Sequence, residues 1–326
     1  MGRWAKRLAG GVVLAALTTL ACAFLWFELF GYALGPNDAR IVYEDLDRFA
    51  AAAAELPTVA DSAGLLQGRY IDAGSRGLGK YGRMYGVTGE TLARAMRRLP
   101  HLYGAPENLA GRVRETEPAV RRALAEYERI YPRAMYPPVY YLVGNARAGG
   151  ANSSAGVLIA AELYGGRAGE TDASLTRDTH MTSDLPCLVT HELTHFNQFV
   201  ASPIVYVRRW DNLARAIKEG AADFMAELSA GCHINGEAHA WGLPHEATLW
   251  EEFRQVLDGD DTGDWFFVRP ESGDRPQDLG YFLGYRIVRA FYERAQDKPA
   301  AIRRIMNISE YHRFLAESGY GGNDGE

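Results

Sequence analysis

Two segments in the second half of the chain carry apolar residues at the spacing of a helix, with polar residues on the opposite face. The first is predicted to begin near Pro186, and its apolar stripe consists of Val189, Leu193, Phe196 and Val200. The second is predicted over 212–230, and its stripe consists of Leu213, Ile217, Ala221, Phe224 and Leu228. Because such stripes pack against a hydrophobic core, the opposite faces must meet solvent or a cleft.

The pattern in the first half of the chain also favours helices. Apolar periodicity predicts them over 39–55, 88–98 and 116–130, and a group of Pro residues follows the last of the three. Residues 61–87 are rich in Gly with scattered aromatics, so this stretch is expected to form loops.

Two runs near the middle of the chain are typical of β-strands, 139–143 and 156–164. The Gly-, Ser- and Asn-rich connection 149–154 is expected to be a turn. Two strands among many helices predict an α+β fold that is mostly helical.

The first residues have the pattern of a targeting segment. Arg3, Lys6 and Arg7 precede a charge-free run over 8–27, which is long enough to span a bilayer. The prediction is a membrane anchor over 1–35 with the rest of the chain on the extracytoplasmic side, and a cleaved signal with a secreted protein is the alternative. The remainder is divided into a helical region, 36–135, and a catalytic region, 136–326, which are expected to form one compact unit.

Charge and cysteine content narrow the function classes. The net charge is −6, and the 35 Lys and Arg residues are dispersed rather than gathered into a stripe, so a nucleic-acid partner is not expected. Cys187 and Cys232 are compatible with a disulfide or with free buried thiols, and their spacing does not decide between the two.

The polar face of the first helix carries the pattern H-E-x-x-H as His191-Glu192-Leu193-Thr194-His195. Residues four apart lie one turn apart on one helix face, so both imidazoles can bind one metal ion. On the helical wheel the two histidines point away from the apolar stripe. Glu192 projects about 100° away from His191, where it can act as a general base towards a water molecule.

The polar face of the second helix carries Glu219 and Asp223, four residues apart, beside the small residues Ala222 and Ala226. Taken alone, this pattern is typical of a solvated acidic face. Taken with the histidine helix, it predicts Glu219 as a third metal ligand and Asp223 as a carboxylate that orients a ligand imidazole. The alanines would allow the two helices to approach closely.

These motifs resemble those of the gluzincin metalloproteases, whose pattern is H-E-x-x-H followed by E-x-x-x-D. The matching residues are H-E-L-T-H at 191–195 and E-G-A-A-D at 219–223. More narrowly, the chain resembles a bacterial family of predicted zinc-dependent proteases, which also has blocks similar to P-V-Y-Y-L-V-G at 138–144 and G-Y-F-L-G-Y-R at 280–286. The resemblance implies a core of a small sheet, an active-site helix and a glutamate helix, with 156–164 as the edge strand beside the cleft.

The expected cofactor is Zn²⁺, since two imidazoles, one carboxylate and an open position suit this metal. Glu192 would serve as the general base. A donor for the developing oxyanion is also needed, and the candidates are Tyr281, Tyr285 and His245. The two tyrosines share an aromatic stripe that also fits a core role. His233 and His239 are assigned to a loop.

The leading hypothesis for the function is a zinc peptidase that hydrolyses a peptide or protein substrate and is attached to a membrane through its N-terminal segment. A non-proteolytic zinc amide hydrolase of the cell envelope is the second hypothesis. The third is an envelope binding or assembly protein that keeps the fold without using the chemistry.

Overall fold

The fold is α+β and mostly helical, as the sequence predicted, with one small mixed sheet. The computed structural model describes residues 31–104, 106–164, 184–208, 210–267 and 275–321. Buried apolar side chains form a cluster that extends from Ala33 to Tyr320. The helical region and the catalytic region therefore share one hydrophobic core.

Within the described residues the sheet contains four strands: β1 (Ile41–Val42), β2 (Val139–Leu142), β3 (Gly150–Ser153) and β4 (Gly156–Ala160). Their order is β1-β2-β4-β3, in which β1, β2 and β4 run parallel and β3 runs antiparallel to β4. Every residue of β2 and β4 is buried, as expected for strands that are covered on both faces.

The prediction that 156–164 forms the edge strand is wrong. The strand in that segment, β4, ends at Ala160 and lies between β2 and β3. The edge strand is β3, which falls in the stretch that its composition assigned to a turn. β3 and β4 form a tight hairpin that pairs Ser153 with Gly156, and Gly156 has a φ of 144°, which favours glycine. The small and polar residues of β3 lack the apolar alternation that identifies a strand.

Between β1 and β2 the chain forms the helices α1 (Glu44–Glu55), α2 (Ser62–Leu66), α3 (Arg76–Tyr85), α4 (Gly89–Arg98), α5 (Pro100–Tyr103), α6 (Pro106–Glu115) and α7 (Glu117–Ile130). The helices predicted over 88–98 and 116–130 are confirmed as α4 and α7. The helix predicted over 39–55 begins only at Glu44, because Ile41 and Val42 pair with β2.

The expectation of loops over 61–87 is wrong, because α2 and α3 lie there. Two of its glycines have specific roles in α3: a β-carbon at Gly77 would overlap the ring of Tyr140 in β2, and Gly86 ends the helix with a φ of 66°. The Ser75 side chain caps the start of α3 by accepting a hydrogen bond from the Leu78 amide. Glycine content alone therefore does not identify this stretch as a loop.

After the sheet the chain forms α8 (Leu185–Ala201), α9 (Pro203–Arg208), α10 (Asn212–Ala230), α11 (Gly236–Gly242), α12 (Glu246–Phe253), α13 (Leu279–Arg294), α14 (Lys298–Ile305) and α15 (Tyr311–Ser318). The two helices predicted from apolar stripes are confirmed as α8 and α10. Asp184 caps α8 by accepting from the Cys187 amide, and Asp211 caps α10 by accepting from the Ala214 amide.

The close crossing of α10 and α13 is made possible by two glycines. A β-carbon at Gly284 would overlap the carbonyl oxygen of Ala216, and a β-carbon at Gly220 would overlap the backbone of Gly284. Since Gly220 directly follows Glu219, this crossing fixes the position of the predicted ligand helix against the rest of the core.

The predicted membrane anchor and the extracytoplasmic location that followed from it are corrected here. Among the helices in the described part of the chain, none is long and apolar enough to cross a membrane. The apolar run over 8–27, on which the prediction depended, lies outside the described residues. The prediction of an extracytoplasmic location therefore has no support in the structure.

The glycine contact between α10 and α13 predicts a large loss of stability on a small substitution. Gly284→Ala is expected to lower the free energy of unfolding by about 3 kcal/mol or more, because backbone on both helices must move apart. Urea denaturation followed by circular dichroism measures the change. Gly111→Ala is the matched control, since a β-carbon there meets nothing within 4 Å, and it should stabilise α6 by up to about 1 kcal/mol. Equal stability of the two variants would show that this contact is not tight.

Candidate metal centre

The helix α8 places both histidines of the H-E-x-x-H pattern inside the protein. His191 is 2% exposed and His195 is 5% exposed, and their Nε2 atoms are 3.1 Å apart. The predicted apolar stripe on the other face is buried at Val189, Leu193 and Phe196, while Val200 in the last turn is 38% exposed. The histidines therefore face a cleft rather than open solvent.

The helix α10 brings the third predicted ligand to the same point. Oε2 of Glu219 is 2.9 Å from Nε2 of His195 and 3.4 Å from Nε2 of His191. Ligand atoms about 2.0–2.1 Å from a tetrahedral zinc ion lie about 3.3 Å from one another. The three atoms thus fit one such ion. In the part of the chain that the structure describes, these residues form the one group with the composition and spacing of a metal site.

Two further side chains orient the imidazoles. Nδ1 of His191 is 3.0 Å from Oδ1 of Asp223, and Nδ1 of His195 is 3.1 Å from Oε1 of Gln198. With a proton on each Nδ1 donated to these oxygens, both Nε2 atoms are left as metal-binding atoms. Asp223 is fully buried and also contacts Nε2 of His239 at 3.4 Å. The role predicted for Asp223 agrees with this geometry.

The electrostatics of the group favour a positive charge at its centre. Burial lowers the pKa of His191, but hydrogen bonds with Asp223 and Glu219 outweigh it and raise the pKa to about 10. For Glu219 the effect of burial has the opposite sign and raises the pKa. The neighbouring imidazoles of His195 and His191 outweigh it and hold the pKa of Glu219 well below its ordinary value. Buried carboxylates that attract charge this strongly are suited to binding a cation.

Glu192 lies between the metal-binding atoms and the edge strand β3. A β-carbon on Gly150 would stand 2.7 Å from its Oε1 atom, so glycine at that position makes room for the carboxylate. Burial raises the pKa of this carboxyl above its ordinary value, against the lowering effect of the nearby His195 and His191 imidazoles and of the Asn152 side chain. An oriented carboxylate of raised pKa is suited to general-base chemistry.

The site opens into a cleft of about 540 Å³. Its described walls come from the end of α3, the loop before β3, β3 itself, and the helices α8, α9, α10 and α13. The lining residues include Tyr85, Arg147, Tyr206, Trp210, Arg215 and Tyr281. A cleft of this volume can hold several residues of an extended peptide or one ligand of the size of a drug.

The three candidates for an oxyanion donor have different surroundings. Tyr281 lines the cleft, and its ring stacks on His191 with centroids 6.2 Å apart. Burial raises its pKa well above the ordinary value, so the phenol remains a proton donor. Tyr285 does not line this cleft and donates its hydroxyl proton to Oε2 of Glu227 at 2.7 Å. His245 is exposed and bonds the carbonyl oxygen of Trp241.

Several residues of the site were not found from the sequence. Tyr206 lines the cleft, with its ring centroid 6.5 Å from that of His195. His239, assigned to a loop, lies on α11 against Asp223. Gln198 could have been found, because it lies three residues after His195 on the same helix face.

The two described cysteines are free thiols. Cys187 is buried in the first turn of α8 and Cys232 follows α10. The neighbouring Cys232 thiol, together with burial, raises the pKa of Cys187 far above its ordinary value. The spacing in sequence gave no indication of this contact.

No family model, no curated protein and no solved structure matches this chain. The likeness to gluzincins therefore rests on the sequence motifs alone.

The contact between Asp223 and His191 predicts a change in metal affinity. Asp223→Asn is expected to weaken zinc binding by about 10- to 100-fold, because the amide no longer provides a negative charge for the imidazole. Competition against a chromophoric zinc chelator measures the affinity. Asp260→Asn, at an exposed position in the turn before α13, is the control and should bind zinc as the unaltered protein does. An unchanged affinity for the Asp223 variant, with its fold intact, would contradict this role.

Proposed function

We propose that the protein is a zinc-dependent peptidase that hydrolyses peptide bonds. The observation that carries the proposal is the spacing of the three donor atoms of His191, His195 and Glu219, which lie 2.9–3.4 Å apart and fit one tetrahedral ion. A zinc ion bound there would supply Lewis acidity, both lowering the pKa of a water molecule and polarising the substrate carbonyl. The residues around it supply the remaining functions.

Glu192 is the proposed general base. Its carboxylate lines the same cleft as the three donor atoms and can accept a proton from the attacking water and deliver it to the leaving nitrogen. The Asn152 side chain on the edge strand lies close to this carboxylate and favours its charged form. Tyr281 is the proposed donor to the oxyanion, because its phenol lines the cleft and stays protonated.

The edge strand favours a peptide over a small amide as the substrate. Among the described residues β3 pairs with β4 alone, and three of its residues, Gly150, Ala151 and Asn152, line the cleft. The free edge of a strand can pair with an extended peptide through backbone hydrogen bonds. This feature supports peptidase activity over the alternative of a non-proteolytic zinc amide hydrolase.

The proposal predicts that Glu192→Gln loses hydrolysis of an unfolded, fluorescently labelled protein by about 100-fold or more, while the zinc content stays at one ion per chain. The loss follows because glutamine cannot accept the proton. Peptide release is measured by fluorescence and zinc by atomic emission. Glu251→Gln, at an exposed position on α12, serves as the control with unchanged activity.

Two results would contradict the proposal. One is full activity in the Glu192 variant. The other is a zinc-loaded wild-type protein that cleaves small amides but no peptide, which would favour the amide-hydrolase alternative.

A further inference from the structure

Arg215 lines the cleft beside the candidate metal centre. It lies four residues before Glu219 on α10, so the two side chains emerge from the same helix face, and both line the cleft. Helix residues four apart are separated by about 6 Å along the axis. A cation therefore lies one helical turn from a metal ligand.

The guanidinium of Arg215 is held in place by aromatic rings. Its central carbon lies 5.1 Å from the ring centroid of Trp210, 5.6 Å from that of Phe266 and 5.5 Å from that of Phe267. Contacts of this kind stabilise a cation through the ring faces without using its hydrogen-bond donors. The rings thus orient the planar group before any ligand binds.

Most of the donor capacity of Arg215 is unused within the described residues. Its Nε atom is buried without a hydrogen-bond partner, and one terminal nitrogen lies 3.5 Å from the carbonyl oxygen of Trp210, at the limit of a hydrogen bond. None of the ion pairs among the described residues includes Arg215. The buried Nε atom is closed to a ligand, so the donors that an anion in the cleft can reach are those of the two terminal nitrogens.

The charge of the cleft also favours an anion. Among the described residues, the side chains of fixed charge that line it are the cations Arg147 and Arg215 and the anions Glu192 and Glu219. A divalent cation at the candidate centre would offset the two carboxylates and leave the two arginines as excess positive charge. A cleft of that charge attracts anionic substrates and repels cationic ones.

We propose that Arg215 binds a carboxylate of the substrate close to the bond that is cleaved. The inference rests on the proposed peptidase function and adds a substrate class to it. Arginine pairs with a carboxylate through two parallel hydrogen bonds, which the oriented guanidinium can donate. Because an extended peptide advances about 3.3–3.6 Å per residue, an anion one helical turn from Glu219 lies within about two residues of the scissile bond. The carboxylate is either the C-terminal group of the substrate or the side chain of Asp or Glu.

The test compares matched peptides of one sequence that differ in a single negative charge. One pair has a free C-terminal carboxylate or a C-terminal amide and contains no acidic side chain. The other peptides are all amides and carry Glu or Gln at each position in turn. The values of kcat/KM are measured for wild type, Arg215→Gln and, as the control, Arg121→Gln, whose guanidinium bonds Glu117 on α7.

The expected result is that wild type prefers one anionic peptide over its neutral partner by about tenfold or more, the strength typical of a charge-assisted hydrogen bond. Arg215→Gln should lose that preference, so that its kcat/KM falls by a factor about tenfold larger on the anionic peptide than on the neutral partner. The Arg121 variant should keep the preference. If the preference belongs to the first pair, the C-terminal carboxylate is the ligand, and if it belongs to a Glu position, the side chain is the ligand. Equal losses on charged and neutral peptides, or no preference in wild type, would overturn the proposal.

Binding provides a readout that does not require turnover. The same peptides are titrated by calorimetry into the full-length Glu192→Gln protein, with and without Arg215→Gln, so that hydrolysis does not interfere. Tighter binding of the anionic peptide that is lost with Arg215→Gln supports the carboxylate site even if wild type cleaves no peptide, in which case only the peptidase function fails. Cleavage of peptides by wild type without any charge-dependent binding removes the carboxylate site and leaves the peptidase function in place.

Discussion

Polar faces of two buried helices meet inside this protein, and the need to compensate their charges governs the arrangement around them. α8 contributes two imidazoles and α10 contributes Glu219 and Asp223, all of them in an environment with little access to water. A buried carboxylate is tolerated only with a hydrogen-bonded partner of opposite charge or with a metal ion. One divalent cation bound by His191, His195 and Glu219 would compensate the buried charge, while Asp223 orients the His191 imidazole through its Nδ1 atom.

The rest of the fold serves to hold these faces at a fixed distance. Gly220 and Gly284 let α13 press against α10 on the side next to Glu219, while Gly150 lets the edge strand approach Glu192 on α8. In each case a missing side chain allows one backbone to lie against another element. The candidate ligands are therefore positioned by helices and a strand of the core, and such rigid support is what a preorganised site requires.

The elements that could be predicted from the sequence are those with strong periodicity and local end signals. α8 and α10 each combine an apolar stripe with an Asp cap, and the proximity of His191, His195 and Glu219 followed from their opposite faces. The misses share a different cause. β3 is short and consists of small and polar residues, and the glycines of α3 suggested a loop, although at Gly77 they allow contact with Tyr140. His239 and Tyr206 reach the site through tertiary contacts that no spacing along the chain expresses. The sequence could not distinguish Tyr281 from Tyr285 either, because both lie on one helix and only the packing of that helix shows that Tyr281 lines the cleft.

The central claim is that one metal ion is bound by His191, His195 and Glu219, and crystallography tests it most directly. Diffraction from crystals of the zinc-loaded protein, recorded on both sides of the zinc absorption edge, locates any zinc ion from its anomalous signal. The account predicts a single strong anomalous peak within bonding distance of Nε2 of both histidines and of Oε2 of Glu219. Full zinc loading with no peak between these three atoms, or with the ion bound by other residues, would contradict it.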